Sequence, residues 1–597
     1  MKVDLFEYDP NRTRLQRLAD FFKDPCITRM TILGTIIGVV GGIGAVFFHY
    51  LILGFKYLFY GATSTDTFLD TVLALPWYTR LLIPAIGGLI IGPIITYVVP
   101  EARGHGVPEV MEGVALREGN IRGRVAPLKA FMSAICIGSG GAAGREGPIV
   151  QIGSSFGSSL GQYLKLTPDD KKALLAAGAA AGIAGTFNAP LAGMIFALEV
   201  ILRKIRLNNF APIIIASIVG NAIANLFFPG RGYIFDIPTF ELVSYWEVFT
   251  YLGLGFAAGL IALLYTSSLY GLEDIFDRMP FPKFAKPALG GLALGVLALY
   301  VHQVLATGYP VMTAALHNEL PFYTVFVLVF AKIAATSLTL GSGGSGGIFA
   351  PGLFIGSMLG VTYGKIVNSL FPRITGGPGS YGIIGMGAVF AAATHAPLTA
   401  IIILFEMTGD IKLFLPMIFA CIIGTVFTSH VRKRNIYTTK LLRRGVDIDA
   451  LRDSVVLEEV LVRDAMTTKV VSVSEFTSIG EARKIAKEND FTQLPVLRSN
   501  GQIVGTLRYQ KMVDTIAILG EEVDVRDVMD PISVWAYEHD HMFDVMKLMI
   551  KHDINVIPIT SDKDRMVLRG LVTRNDVMNA YHEEINTIPN TKEAKDI

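Results

Sequence analysis

Apolar residues run along this chain in long unbroken blocks, without the period of two or of 3.6 that marks a half-buried strand or helix. Residues 30–55, 81–100, 210–230, 248–272 and 413–431 contain no Asp, Glu, Lys or Arg. Each is close to or above the roughly 20 apolar residues that a helix needs to cross a bilayer. They predict membrane-spanning helices. Other apolar stretches are too short, or too often broken by Gly and Pro, to be simple spans. After about residue 440 the pattern turns charged and mixed, like an ordinary soluble domain. The chain therefore predicts an all-α multi-pass membrane domain followed by a smaller α+β domain.

Composition agrees with that division. Of 597 residues, 51% are hydrophobic and 17% charged, against about 25% charged in a soluble chain. The net charge of +1 says little about partners, and nothing points to nucleic acid. Cys26, Cys136 and Cys421 lie far apart, as small core residues do, and imply no disulfide or metal framework. Arg12, Arg14, Arg17 and Lys23, interleaved with acids, predict a short amphipathic helix, not a cleaved signal peptide. The last apolar block is followed by Arg432, Lys433, Arg434, Lys440, Arg443 and Arg444. Such clusters stay in the cytosol, so both termini are expected there, in a plasma or cell inner membrane. No GxxxxGK[ST], HExxH or CxxC occurs, so neither an enzyme, a catalytic residue nor a metal site is expected.

The broken apolar stretches carry an internal repeat. Residues 138–148 read GSGGAAGREGP and residues 341–351 read GSGGSGGIFAP. Further on, APLAGMIFALE (189–199) recurs as APLTAIIILFE (396–406), each ending in an acid, Glu199 and Glu406. The offsets are 203 residues (138 to 341) and 207 residues (189 to 396). Duplicated halves with Gly/Pro-broken helices mark transporter folds. Broken helices persist at membrane depth only where they line a cavity or are buried in protein. Each break is expected to open a helix, one near Glu146 and one near Phe349. A helix N-terminus offers unpaired amides and about half a positive charge. Several such ends aimed at one point bind an anion without holding it as tightly as a full cation would. The bland alternative for any single glycine is close helix packing. Glu199 and Glu406 read as residues that cap or hold helices. His49, His302 and His317 read as packed or interfacial.

At this point the chain resembles the CLC family of chloride channels and transporters. Residues 104–108 (GHGVP), 144–148 (GREGP) and 347–351 (GIFAP) are similar to its three selectivity-filter segments, in order, and Tyr437 to its pore tyrosine. The resemblance covers about residues 20–445. It implies an inverted-repeat fold and a homodimer in which each subunit has its own pathway for chloride or a related anion. It implies that Glu146 is the gate, a carboxylate able to take an anion's place. His105, Gly106, Gly147, Ile348, Phe349 and Tyr437 are then the anion-binding positions. Without the family, Glu146 could instead pair with Arg145, and Tyr437 could be an interfacial anchor.

Two positions depart from the family's pattern. His105 stands where the family usually has a serine ligand. Imidazole can donate to an anion and can titrate near neutral pH; alternatively it points away and the neighbouring amide serves. Val200 follows Glu199 where proton-coupled members carry an inward-facing glutamate, and valine relays no proton. The expectation is a gated anion channel, with proton-coupled anion exchange as the alternative.

A second repeat occupies the C-terminal region. Arg463-Asp464-Ala465-Met466 recurs as Arg526-Asp527-Val528-Met529, each followed by a strand–helix–strand pattern. This resembles tandem CBS domains. The expected division is an N-terminal segment 1–28, membrane domain 29–445, linker 446–461, CBS domains 462–520 and 521–585, and a flexible tail 586–597. Gly570, Thr573 and Asp576 match that family's nucleotide motif, which implies one site for an adenine nucleotide (ATP, ADP or AMP), with Asp576 on the ribose and Thr573 near the phosphates. Arg508 and Lys511 replace the polar pair in the first domain. Thr573 and Asp576 could equally just cap the last helix.

Overall fold

The computed structural model describes residues 25–203, 210–228, 235, 243–244, 246–446, 448, 460–489, 491–552, 554–561 and 567–587. The expected N-terminal amphipathic helix, most of the linker, the tail and the Cys26 side chain lie outside what is described. The chain forms two compact units, Met1–Val446 and Asp447–Ile597.

The first unit is helical. Its first half holds α1 (Pro25–Tyr60), α2 (Phe68–Ala74), α3 (Trp77–Tyr97), α4 (Val107–Leu116), α5 (Val125–Gly138), α6 (Glu146–Tyr163), α7 (Pro168–Phe187), α8 (Pro190–Phe196) and α9 (Phe210–Phe227). Its second half holds α10 (Glu247–Arg278), α11 (Lys286–Tyr300), α12 (Tyr309–Leu316), α13 (Phe322–Gly341), α14 (Phe349–Leu370), α15 (Pro378–Thr394), α16 (Pro397–Thr408) and α17 (Phe414–Val431), and α18 (Ile436–Arg443) follows. Packing repeats with the sequence. The pair α6·α7 is matched by α14·α15, and α7·α9 by α15·α17, while α3 packs on α11. Among the described residues seven helices are long and apolar enough to cross a membrane. Five contain the charge-free blocks. The other two, α13 and α14, were hidden in the sequence by Lys332 and by their glycines, and are mostly buried inside the protein.

Small residues make this packing possible. A side-chain carbon on Gly153 would strike the Gly178 carbonyl, and one on Gly178 would strike that of Gly153, so α6 and α7 meet backbone to backbone. Gly356 and Gly385 do the same for α14 and α15.

Glu199 and Glu406 tie the halves together. The Glu406 carboxylate accepts from the Leu191 and Ala192 amides (3.0 and 2.7 Å), at the start of α8. Glu199 accepts from the Leu398 and Thr399 amides (3.2 and 2.7 Å), at the start of α16. Each acid caps a helix of the other half, where an N-terminus most favours negative charge.

The second unit has two small sheets. The first runs β1 (Val473–Ser474), β2 (Gln493–Leu497), β3 (Ile503–Arg508), β4 (Asp530–Pro531); the second runs β5 (Ala536–Tyr537), β6 (Val556–Thr560), β7 (Leu568–Thr573). In each, the first two strands are parallel and the next pair is antiparallel. The short helices carrying the RDAM and RDVM motifs are exchanged. Val462 packs in the core of the second sheet with Met542 and Val572. Val525 and Val528 pack in that of the first with Leu494 and Leu507. Sequence order therefore does not match packing order at these motifs.

Removing either capping acid leaves two amides unpaired. Glu406→Ala and Glu199→Ala are each expected to cost about 0.5–2 kcal/mol, read as a lower thermal unfolding midpoint in detergent. Glu→Gln, which still accepts, should lose less.

Candidate functional site

Three breaks in the membrane unit meet and are stitched by backbone hydrogen bonds. The Gly144 amide donates to the Gly347 carbonyl (2.8 Å) and the Gly347 amide donates back to Gly144 (2.6 Å). The Gly104 amide donates to Gly344 (2.9 Å), and that of Gly346 to Gly104 (3.2 Å). A side chain at Gly147 would collide with the His105 carbonyl, so only glycine lets the segments approach this closely. α4, α6 and α14 begin directly after these breaks, at Val107, Glu146 and Phe349.

Two lysines hold the turns that lead into α4 and α12. Lys129, fully buried, donates to the carbonyls of Ala102 (2.9 Å) and Gly104 (2.7 Å). Lys332, also fully buried, donates to Val304 (2.9 Å) and Ala306 (2.8 Å). They sit 203 residues apart (129 to 332), so one device is used twice. Each lysine neutralises carbonyls that would otherwise turn negative dipoles toward the breaks.

His105, Glu146, Gly147, Ile348, Phe349 and Tyr437 line one small space of ≈10 Å³, room for about one water. Gly106 does not line it. It precedes α4 with φ +82°, and a side-chain carbon there would meet the Gly147 carbonyl. Glu146 is 1% exposed. One carboxylate oxygen accepts from the Tyr309 hydroxyl (2.9 Å), the other from the Ala350 amide (3.3 Å) at the start of α14. A carboxylate thus lies across a helix N-terminus of the opposite half. Arg145 makes no ion pair with it. The guanidinium instead meets His49 Nδ1 (3.2 Å) and lies over the Tyr309 ring, so neither an acid nor a carbonyl is its partner and His49 is more than packing.

Tyr437 stands at the start of α18, where Asn435 caps its amide (3.0 Å). Its ring lies 5.7 Å from that of His105. His105 Nε2 is 3.4 Å from the Tyr270 hydroxyl, and Tyr270 gives its only proton to the Ile436 carbonyl. The Tyr270 oxygen can therefore only accept, which puts the proton of a neutral His105 on Nε2. Nδ1 is buried without a partner. Val200 is buried in a π-helical turn, Ala197–Leu202, and the carboxylate beside it, Glu199, is spent on α16.

Residues 87–429 match the voltage gated chloride channel family, and 462–517 and 525–583 each match the CBS domain. A protein of Ralstonia nicotianae named as a ClcB-like chloride channel protein is 35% identical over 422 residues, 70% of this chain and 98% of that one. The H(+)/Cl(-) exchange transporter ClcA of Yersinia pseudotuberculosis is 30% identical over 76% of this chain and 95% of its own. The chain belongs to the CLC family. It is an anion transport protein embedded in a membrane, with a C-terminal CBS pair. Among solved structures, a slow cyanobacterial Cl−/H+ antiporter superposes with TM-score 0.63 at 26% identity, covering 70% of this chain and 98% of that one. A eukaryotic CLC transporter superposes with TM-score 0.60 over 92% of this chain and 98% of its own, at 19% identity, which speaks to the fold alone.

Sequence reasoning missed Lys129, Lys332, Tyr270 and Tyr309 in this CLC site. Two of these signals were present. A lysine precedes each GSGG by nine residues, and Gly308-Tyr309-Pro310 repeats Gly106-Val107-Pro108 at an offset of 202 (106 to 308).

In the CBS pair, the Asp576 carboxylate accepts from the Thr573 amide (2.7 Å) and hydroxyl (2.8 Å), and Asp576 N–H donates back to Thr573 Oγ1 (3.2 Å). That is a reciprocal cap on the last helix. At the matching place in the first domain, Lys511 and Arg508 bind Asp530 (2.6 and 3.2 Å). Burial raises the Asp530 carboxyl, but the two cations outweigh it and hold it below the usual carboxylate range. The pair therefore stays ionised at neutral pH and is lost only as pH falls through that lowered value.

Tyr309→Phe removes one of the two bonds that hold Glu146. A hydrogen bond to a charged group is worth about 1.5–3 kcal/mol, so anion efflux from liposomes should rise by about tenfold or more if release of Glu146 limits it. The same substitution on a Glu146→Ala background should change nothing.

Proposed function

We propose that this CLC protein exchanges chloride for protons, with Glu146 as the gate through which both pass. The observation that carries the reading is the Glu146 carboxylate itself, bonded by both oxygens while it lines the same small space as Ile348, Phe349 and Tyr437. Protonation removes its charge and with it the attraction of the α14 N-terminus, and chloride can then take its place at the amides of Ile348 and Phe349 and the Tyr437 hydroxyl. His105, Gly106 and Gly147 shape the rest of the path. If His105 Nδ1 is an anion ligand, it can donate only as imidazolium, so anion binding there would also take up a proton. The exchange reading draws on relatives named as H+/Cl− exchangers and on the cyanobacterial antiporter.

One observation favours a passive channel instead. Among the described residues, Val200 is a buried apolar side chain and the carboxylate next to it, Glu199, is bound to the amides that open α16. The channel expectation rests on that position and on the Ralstonia relative, which is named as a chloride channel protein.

Every proposed ligand comes from one chain, which fits a homodimer with a separate pathway in each subunit, both termini in the cytosol of a plasma or cell inner membrane. The CBS pair offers Gly570, Thr573 and Asp576 to one adenine nucleotide, while Lys511–Asp530 closes the first domain's equivalent. We read the units as a membrane domain 29–445 and CBS domains near 462–520 and 521–585.

Liposome flux with external pH recorded decides between the two readings. Chloride efflux with fixed-ratio proton uptake, abolished in its proton component by Glu146→Gln, is expected. Efflux without proton movement would establish the channel and leave Glu146 a gate only. For the soluble unit, ATP or AMP binding by calorimetry to the full-length protein is expected to weaken by about tenfold or more in Asp576→Ala, which loses ribose contacts. Unchanged binding would reduce Asp576 to a helix cap.

A further inference from the structure

Tyr309, which holds Glu146, also lines a second cavity of ≈390 Å³, whose rim carries the exposed residues Thr63 and Asp66. A pouch of ≈20 Å³ leads off it, bordered by Lys56, Arg145, Thr65 and Thr307. Lys56 lies near the end of α1 and is 2% exposed. Its ammonium sits 4.7 Å from the Phe68 ring centroid, and among the described residues no carbonyl, hydroxyl or carboxylate accepts from it. Arg145 gives one nitrogen to His49, while its Nε is buried with no partner. Two cations thus face one pouch with donors unspent. Asp66 is the carboxylate on the cavity's rim, and it forms no ion pair with Lys56.

A buried ammonium without an acceptor is costly, and far more so at membrane depth. The other buried lysines of this unit show the usual remedy, since Lys129 and Lys332 each bind two carbonyls. Lys56 has a ring face only, and a ring face offsets part of the cost at most. The missing acceptor must be able to enter and leave, because nothing among the described residues supplies it.

We propose that this pouch is an anion-holding site, in which a halide or similarly small monovalent anion pairs with Lys56 and the Arg145 Nε, with the Thr65 and Thr307 hydroxyls to complete its shell. It rests on the anion-transport reading and adds a station next to the gate. Unlike the gate, it binds with full charges, so it loads the pathway instead of conducting along it. An anion here also keeps Arg145 placed over Tyr309, and through that ring acts on the bond that holds Glu146.

Bromide tests this, because its anomalous scattering locates it directly in crystals of the wild-type protein. Density within contact of Lys56 Nζ is expected, present in wild type and in Lys56→Arg and absent in Lys56→Met. In liposomes, Lys56→Met should raise the half-saturating bromide concentration by about tenfold, the loss of one charge-assisted bond, while the maximal rate is kept and Lys56→Arg restores the affinity. Wild-type crystals with bromide at Ile348, Phe349 and Tyr437 but none at Lys56 would overturn the proposal and leave the gate reading standing. Bromide at neither place, in wild-type and in Glu146→Gln crystals alike, would count against both.

Discussion

The reciprocal pair of peptide hydrogen bonds between Gly144 and Gly347 is the joint on which the membrane unit depends. These residues are equivalent in the two halves, offset by 203 (144 to 347), so the joint pairs each half with its own copy. It fixes where α6 and α14 begin, and therefore where their unpaired amides point. Glu146 can lie against the start of α14 only because these backbones touch. Glycine at 144, 147 and 347 is a steric demand of that contact, since any side chain would meet the facing main chain or the Glu146 carboxylate.

Around the joint, charge is managed by two opposite devices. Buried lysines satisfy carbonyls behind the breaks, and half-buried glutamates satisfy amides at the starts of α8 and α16. Each device appears once per half. Full charges are thus spent on backbone, and the path itself is left to partial charges and one movable carboxylate. Lys56 and Arg145 stand apart from this economy, because their donors face a cavity and not a carbonyl.

The parts of the fold that were legible in the sequence are those written as pattern. Charge-free blocks gave five of the long helices, and the GSGG repeats placed the starts of α6 and α14 at Glu146 and Phe349. The parts that were not legible depend on contacts between distant segments. α13 and α14 are buried by protein, so Lys332 and glycines are tolerated in them and the hydropathy signal fades. Tyr309 reaches Glu146 from 163 residues away, and no local pattern announces a hydroxyl aimed at a carboxylate. Chemistry favours the neighbouring acid as a partner for Arg145, yet the fold brings His49 and an aromatic face to it instead. In the soluble unit the RDAM and RDVM repeats were visible, but their exchange between cores was not, because a repeat unit read along the chain need not be a packing unit.

The reciprocal caps at α8 and α16 also have a consequence in time. The α8 amides at Leu191 and Ala192 wait for a carboxylate that lies up to 215 residues further along the chain. At about 5–20 residues per second of synthesis, that wait is on the order of ten to forty seconds. For that interval the first half sits in the membrane with a bare helix end, unable to complete itself. A nascent chain of this kind needs shelter from the insertion machinery or from lipid headgroups until its second half arrives, and a stall in translation between the halves would strand an unfinished protein in the bilayer.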